Sequence, residues 1–420
     1  MDKQRHTPSW LALAILAAIG TMGFVDRIIV NVLVEPLKRE FALSDTQVSL
    51  LGFAFALLYI VVGILSARVL ERSHRIRIIA FGTLIWSAAT AACGLAASWV
   101  QLLASRMAVG VGEAIGLPGS QSVIADYFPP TRRGLAMSVL LLSPPLGALI
   151  GFVGGGWVTQ HFDWRTTFLF AAIPGAILAI LALVLIVEPP RGQFDKEHVS
   201  DAVPPLADVF RRLFGLSSAR NMIFGSVLAT TLGFGLNYFF MSLMIRRFDA
   251  TIGEAGLYAG LIASLPAALS GLAAGWLGDR LGQKYPAAYA LIPGVCLLLA
   301  GPAYAFAISR DSLALLLVLV GVSTMFQFSY VGITFATLQN LMHPRMRATT
   351  SAILNAIYGI CGGLGPFAIG VLSDRFSVPD DAGYGLMLAM GGIALVYIPA
   401  ALFYFLAARN IVKDSGKLAG

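Results

Sequence analysis

The stretch Gly275-Trp276-Leu277-Gly278-Asp279-Arg280-Leu281-Gly282-Gln283-Lys284 is a polar loop closing one long apolar run and opening the next. An altered copy stands 208 positions earlier, as Ala67-Arg68-Val69-Leu70-Glu71-Arg72-Ser73-His74-Arg75. The loop Tyr127-Phe128-Pro129-Pro130-Thr131-Arg132-Arg133 returns 214 positions later as Leu341-Met342-His343-Pro344-Arg345-Met346-Arg347, and Gly151 to Gly156 is answered by Gly365 to Gly370 at the same offset. Three matches at a nearly constant spacing mark two homologous halves, each half a unit of fold repeated in tandem.

What each half is made of follows from composition. Of 420 residues 57% are hydrophobic and 12% charged, and the mean hydropathy is +0.79, values outside the range of water-soluble domains. A bilayer core about 30 Å thick needs about 20 apolar residues per helix. Charge clusters and Pro/Gly turns divide the chain into twelve such runs, at 9–34, 46–67, 76–97, 101–127, 133–158, 165–187, 219–245, 254–277, 285–308, 313–341, 347–373 and 383–408. Short alternating runs, the mark of a membrane barrel, are lacking. The expectation is an all-α membrane protein, with a six-helix bundle over 1–189, a linker over 190–218 and a second six-helix bundle over 219–420. Within the linker Leu206, Val209, Phe210, Leu213 and Phe214 recur at helical spacing opposite Asp208, Arg211 and Arg212, which predicts a short amphipathic helix on the membrane surface.

The net charge of +7 does not point to nucleic acid, because the basic residues sit in loops between apolar runs. Alternate loops divide them unequally: 20 Lys and Arg on the side of both termini, 7 on the other, with Arg27 and Arg106 inside spans. By the positive-inside rule both termini are expected in the cytoplasm, and in a bacterium the chain would lie in the inner membrane. The first run continues through Asp26 and Arg27 without a small-residue cleavage site and reads as a retained helix rather than a signal peptide. Cys93, Cys296 and Cys361 lie far apart in apolar runs, and no histidine falls inside a predicted span. Neither a disulfide framework nor a metal site is expected. No phosphate-binding Walker loop and no nucleophile and base pair occurs, so neither ATP-driven work nor membrane enzymology is expected.

Four ionisable residues stand well inside the spans: Asp26 and Arg27 in the first, Arg106 and Glu113 in the fourth. Charges in lipid are costly, so these must face protein or a water-filled cavity. Seven residues apart, Arg106 and Glu113 share one helical face about 10 Å apart, and counting inward from the helix ends puts Asp26 level between them. A salt-bridge cluster that only fixes helix to helix is the plain reading. Against it, well-packed apolar residues would usually be as stable as a buried ion pair. Asp26 and Glu113 are therefore read as proton-coupling carboxylates, and Arg27 and Arg106 as anchors for an anionic group, since burial and neighbouring charge act on a carboxyl in opposite senses. The second half has no matching charge. It offers Asn237 and Tyr238 in the seventh span and Phe326, Gln327, Tyr330 and Thr334 in the tenth, a weakly polar aromatic wall suited to an amphipathic solute.

Gly275 to Lys284 resembles the cytoplasmic loop motif of the major facilitator superfamily, and the repeat, the twelve spans and the central linker extend the resemblance over nearly the whole chain. In the first copy Ala67, Glu71 and His74 replace the usual Gly, Asp and Gly. Gly147 to Gly151 with Gly154 to Gly156, and Gly362 to Pro366 with Gly370, resemble the family's glycine-rich packing motif, whose small residues are expected to pack between the halves. Asp26-Arg27, Asn31 to Leu33, Pro36 to Lys38, Leu43 to Gln47, Arg106 to Ala114 and Ile124 to Pro129 are similar to the Spinster branch, linked in animals to lysolipid and sphingosine-phosphate export; Asp163-Trp164-Arg165-Thr166-Thr167-Phe168 is shared more widely.

The resemblance implies a major facilitator fold of two pseudo-symmetric six-helix bundles working by alternating access, monomeric, driven by a proton gradient with no bound cofactor. It also implies a cytoplasmic gate. Asp279 and Arg280 would meet the start of the fifth span near Arg133, and by the repeat Glu71 and Arg72 would meet the eleventh near Arg347. The expected solute is amphipathic or anionic and lipid-like, with membrane lipid as surroundings. The rivals are a multidrug, organic-anion or sugar-phosphate carrier of the same superfamily, and a non-transporting receptor or scaffold.

Overall fold

The computed structural model describes residues 7–192, 194, 205–343 and 346–416. Among these, twelve stretches of helix are long and apolar enough to cross a membrane: Ser9–Val32, Asp45–Gly63, Arg75–Gly94, Trp99–Tyr127, Thr131–His161, Trp164–Leu185, Ser217–Phe248, Ile252–Gly282, Ala288–Ile308, Leu313–Asn340, Thr349–Arg375 and Tyr384–Asp414. They are called spans 1 to 12. The only β-pairing among the described residues is an isolated bridge between Val378 and Asp381.

Several span ends are fixed by side chains that satisfy the orphan N–H groups of a first turn. Ser44 and Gln47 form a reciprocal capping box before span 2. Ser98, Asp163 and Ser312 accept from the backbone N–H three residues on, before spans 4, 6 and 10. Asp163 is exposed, and its carboxyl is held below the usual aspartate range chiefly by the hydrogen bond from the Thr166 N–H.

Four spans expected to be continuous are each two helices. Span 4 breaks between Glu113 and Gly116, span 5 between Leu140 and Ser143, span 10 between Gln327 and Tyr330, and span 12 between Ala394 and Tyr397. Three breaks have one cause. Pro118, Pro145 and Pro399 have no N–H to offer the carbonyl four residues back, which is Ala114, Leu141 and Leu395 in turn. Span 10 breaks at the repeat position without a proline; Gly332 stands 214 residues after Pro118. Pro174, Pro266, Pro293, Pro302 and Pro366 lie inside unbroken helices, so a proline permits a break without forcing one.

The chain divides into two compact units, Met1–Val199 with Thr251–Gly260, and Ser200–Ala250 with Leu261–Gly420. Neighbour relations repeat from one to the other. Span 1 runs along span 5 and span 3 along spans 4 and 6; span 7 runs along span 11 and span 9 along spans 10 and 12. Glycines set the closeness. A Cβ on Gly147 would stand 2.4 Å from Phe24 Cβ in span 1, one on Gly112 2.6 Å from the Trp86 nitrogen in span 3, and one on Gly365 1.8 Å from the Thr231 carbonyl in span 7. Gly147, Gly151 and Gly365 thus bind spans within their own half, whereas Gly156 lies against Ile252 and Gly256 of span 8, so the expected packing between halves holds for only part of the motif. The spacing of small residues shows that a helix has a close neighbour, not which one.

One end of the first unit is closed by Arg75. This guanidinium is 2% exposed and donates to Glu188 Oε1 at 2.6 Å, Asp126 Oδ2 at 2.5 Å and Ser122 Oγ at 3.0 Å. Glu188 also accepts the Ile76 N–H at 3.0 Å, so the end of span 6 is tied to the start of span 3 and the end of span 4. In the second unit Leu206–Gly215 forms the expected amphipathic helix. Val209 and Leu213 are buried against spans 7 and 11, while Leu206 and Phe210 remain exposed and Phe210 stacks on Phe214 at 6.0 Å.

Candidate functional site

Spans 1, 2, 3 and 4 bring the four intramembrane charges together inside the first unit. Span 4 approaches its neighbours closely because Gly110 lies against the Phe55 carbonyl and Gly112 against the Gly82 carbonyl. Glu113 is carried into the core on the residue after that close contact, at the end of a helix. Asp26, Arg106 and Glu113 are 1%, 2% and 3% exposed.

Arg27 Nε donates to Glu113 Oε2 at 2.7 Å. The guanidinium stands over three rings, Tyr59 at 4.4 Å, Phe24 at 4.8 Å and Phe55 at 5.3 Å, so the cation is held by π faces as well as by its carboxylate. Arg106 also stands over the Phe55 ring, at 5.0 Å, and donates from Nη1 to the Asp26 carbonyl at 3.3 Å. Asp26 Oδ2 accepts from Thr90 Oγ1 at 3.2 Å. Asp26 Oδ1, Glu113 Oε1 and Arg106 Nε are buried and make no hydrogen bond. Two carboxylates and a guanidinium therefore keep unused capacity in a place where unused polar atoms are expensive. A proton on either oxygen, or an anionic group meeting Arg106, would fill it.

The expected pairing differs in detail. Asp26 lies beside Arg106, as the depth count predicts, yet it is the backbone carbonyl of Asp26 that Arg106 bonds. Glu113 takes Arg27. Thr90, Phe24, Phe55 and Tyr59 were not foreseen; polar residues inside the otherwise apolar spans 2 and 3 are the signal that could have marked Tyr59 and Thr90.

In the second unit Gln327, at 5% exposure, ends the first helix of span 10. Phe326 and Asn237 are part-exposed, whereas Tyr238 is buried against Phe239 at 5.0 Å. The Tyr330 hydroxyl is paired with Thr230 at 2.6 Å and that of Thr334 with Tyr404 at 2.5 Å, so both are engaged between helices. Asp279 and Arg280, expected in a loop, lie in the last turns of the helix Ile252–Gly282; Asp279 is exposed and Arg280 stands 5.2 Å over the Trp276 ring. Arg133 is part-exposed in the other unit. The side chains of Glu71, Arg72 and Arg347 lie outside the described residues. No group of three or more His, Cys, Asp or Glu side chains that could hold a metal ion occurs among the described residues.

The family model of the Major Facilitator Superfamily matches residues 15–366, and the chain belongs to that family. It is a multi-pass membrane transporter, not an enzyme. An MFS-type efflux pump of Mycolicibacterium smegmatis is 32% identical over 98% of this chain and 95% of its own length. The sphingosine-1-phosphate transporter SPNS2 of Xenopus tropicalis is 24% identical over 97% of this chain and 83% of that protein. Among solved structures, a bacterial homologue of the human lysosomal transporter Spinster, in an inward-facing and unoccupied conformation, superposes with a TM-score of 0.89 at 28% identity, covering 99% of both chains. The branch resemblance read from the first half thus extends over the full length.

Proposed function

We propose that the protein is a proton-coupled secondary transporter of an amphipathic, anionic, lipid-like solute. The observation that carries this reading is the Asp26, Arg27, Arg106 and Glu113 group, buried in the first half with an open oxygen on each carboxylate. Asp26 and Glu113 take and release the proton, and Arg106 holds the solute's anionic group through charge-assisted hydrogen bonds. Arg27, already paired, transmits the state of Glu113 to the rings of Phe24, Phe55 and Tyr59. The second half supplies Asn237, Tyr238, Phe326, Gln327, Tyr330 and Thr334 for the uncharged remainder, and the sphingosine-1-phosphate carrier among the relatives supports an anionic amphiphile. Glu71, Arg72, Asp279, Arg280, Arg133 and Arg347 are assigned to the gate, both termini to the cytoplasm, and the working unit to a monomer.

A second reading has its own support. Three aromatic rings around one guanidinium suit flat organic ions, and the 32% identical relative is an efflux pump; this reading makes the chain an exporter of small organic solutes. Flux into and out of proteoliposomes separates the two. With a pH gradient imposed, a lysophospholipid should move faster than a sugar phosphate or a dye. Faster movement of the dye would favour the second reading, and no effect of the gradient on any solute would remove proton coupling from both.

A further inference from the structure

The two halves carry the same helix at the same register. Trp99–Glu113 and Leu313–Gln327 begin and end 214 residues apart, each capped by a serine that accepts from the third N–H of its helix. Gln327 therefore occupies the place of Glu113, and the surroundings agree. The nearest atoms to a Cβ on Gly23 belong to Glu113, with Oε2 at 3.7 Å; the nearest to a Cβ on Gly233 is Gln327 Nε2 at 2.6 Å. Each polar end thus hangs over a glycine of the half's first span. Four residues after Gly23 stands Arg27, the partner of Glu113, and four residues after Gly233 stands Asn237. At these two places the second half carries side-chain amides and no charge.

It has also gained a group from span 12. Tyr397 is 0% exposed, its hydroxyl makes no hydrogen bond, and that oxygen lies 3.6 Å from the same point above Gly233. The neighbouring Tyr330 hydroxyl is already committed to Thr230. An amide with a donor and an acceptor thus hangs over Gly233, with an unpaired hydroxyl beside the same point. Two to four polar partners are what a buried hydroxylic guest requires.

We propose that Gln327 and Tyr397, above Gly233, form a neutral hydrogen-bonding subsite that takes one small hydroxylic group, either a water molecule or a hydroxyl of the solute. The solute source rests on the proposed function; the water source does not. Experimental density of the solute-free protein in nanodiscs tests the first, and binding of 1-acyl-lysophosphatidate against its 2-deoxy analogue tests the second. For water, an ordered oxygen sits between Gln327 and Tyr397, disappears in Tyr397→Phe and Gln327→Leu, and the two probes bind alike. For a solute hydroxyl, the deoxy probe binds the native protein about tenfold more weakly, and the difference closes in Gln327→Leu. Gly233→Ala serves as the second variant, because its methyl crowds only the far end of the flexible Gln327 side chain and stands at ordinary contact distance from the Tyr397 hydroxyl; it removes the guest in either case. Absence of both an ordered oxygen and any discrimination overturns the subsite. If neither probe binds at all, the lipid-like reading fails, while the solute-free density still judges the subsite.

Discussion

Arg27 and Glu113 separate a brace from a working part. Removing one member of a buried pair leaves an uncompensated charge and costs about 3–5 kcal/mol, while replacing both by apolar residues is often neutral. Arg27→Leu should therefore lower the thermal unfolding midpoint, and Arg27→Leu with Glu113→Leu should largely restore it. On the proposed function the double variant still fails to transport, although it folds. Recovery of transport with recovery of stability would reduce the pair to a brace. Arg106→Ala should weaken binding of an anionic solute about tenfold or more, the worth of one charge-assisted hydrogen bond; unchanged affinity would remove it from the binding role. The four charges themselves were legible in the sequence, since lipid makes any charge conspicuous. Their partners were not. Nothing in the order of residues says that Phe55 and Tyr59 of span 2 turn toward Arg27, or that the Asp26 carboxylate finds Thr90, because those contacts depend on how apolar faces of similar composition rotate against one another.

At the scale of helices, the glycines divide into those that meet a neighbour and those that do not, and the sequence alone does not sort them. Gly365→Ala would drive a methyl into the Thr231 carbonyl and should destabilise the second half by about 1–3 kcal/mol or more. Gly154 has nothing within 4 Å of its Cβ position, so Gly154→Ala should change stability by less than about 0.5 kcal/mol. Thermal unfolding of the two purified variants compares them directly, and equal losses would contradict the packing described. Span ends give a pH-dependent case. Because the folded Asp163 carboxyl is held below its unfolded range, its cap contributes stability above about pH 4 and loses it as the pH falls through the lowered folded value. Asp163→Ala should cost about 1 kcal/mol at pH 7, with the gap to the native chain narrowing in acid; a gap independent of pH would show that the cap is not the cause. Twelve apolar runs announced the spans, and three of the four breaks have a proline four residues further on, but Pro174, Pro266, Pro293, Pro302 and Pro366 inside unbroken helices carry the same mark, so proline alone does not locate a break. The break in span 10 had no such mark.

For the molecule as a whole, the central claim is that one half carries the charge and the other copies its shape without it. The sequence shows that the second half has no charge to match the four in the first, and the structure adds that Gln327 stands where Glu113 does; on the proposed function, transport energetics then depend on a single titrating cluster. The most direct measurement is proton movement in lightly buffered proteoliposomes, followed by an internal pH dye after solute is added. The account predicts a proton flux that accompanies solute in the native protein and is lost in both Asp26→Asn and Glu113→Gln, while solute exchange at equal pH on both sides persists in at least one of them. Solute flux without proton movement in the native protein, or proton movement at the native ratio in both variants, would contradict it.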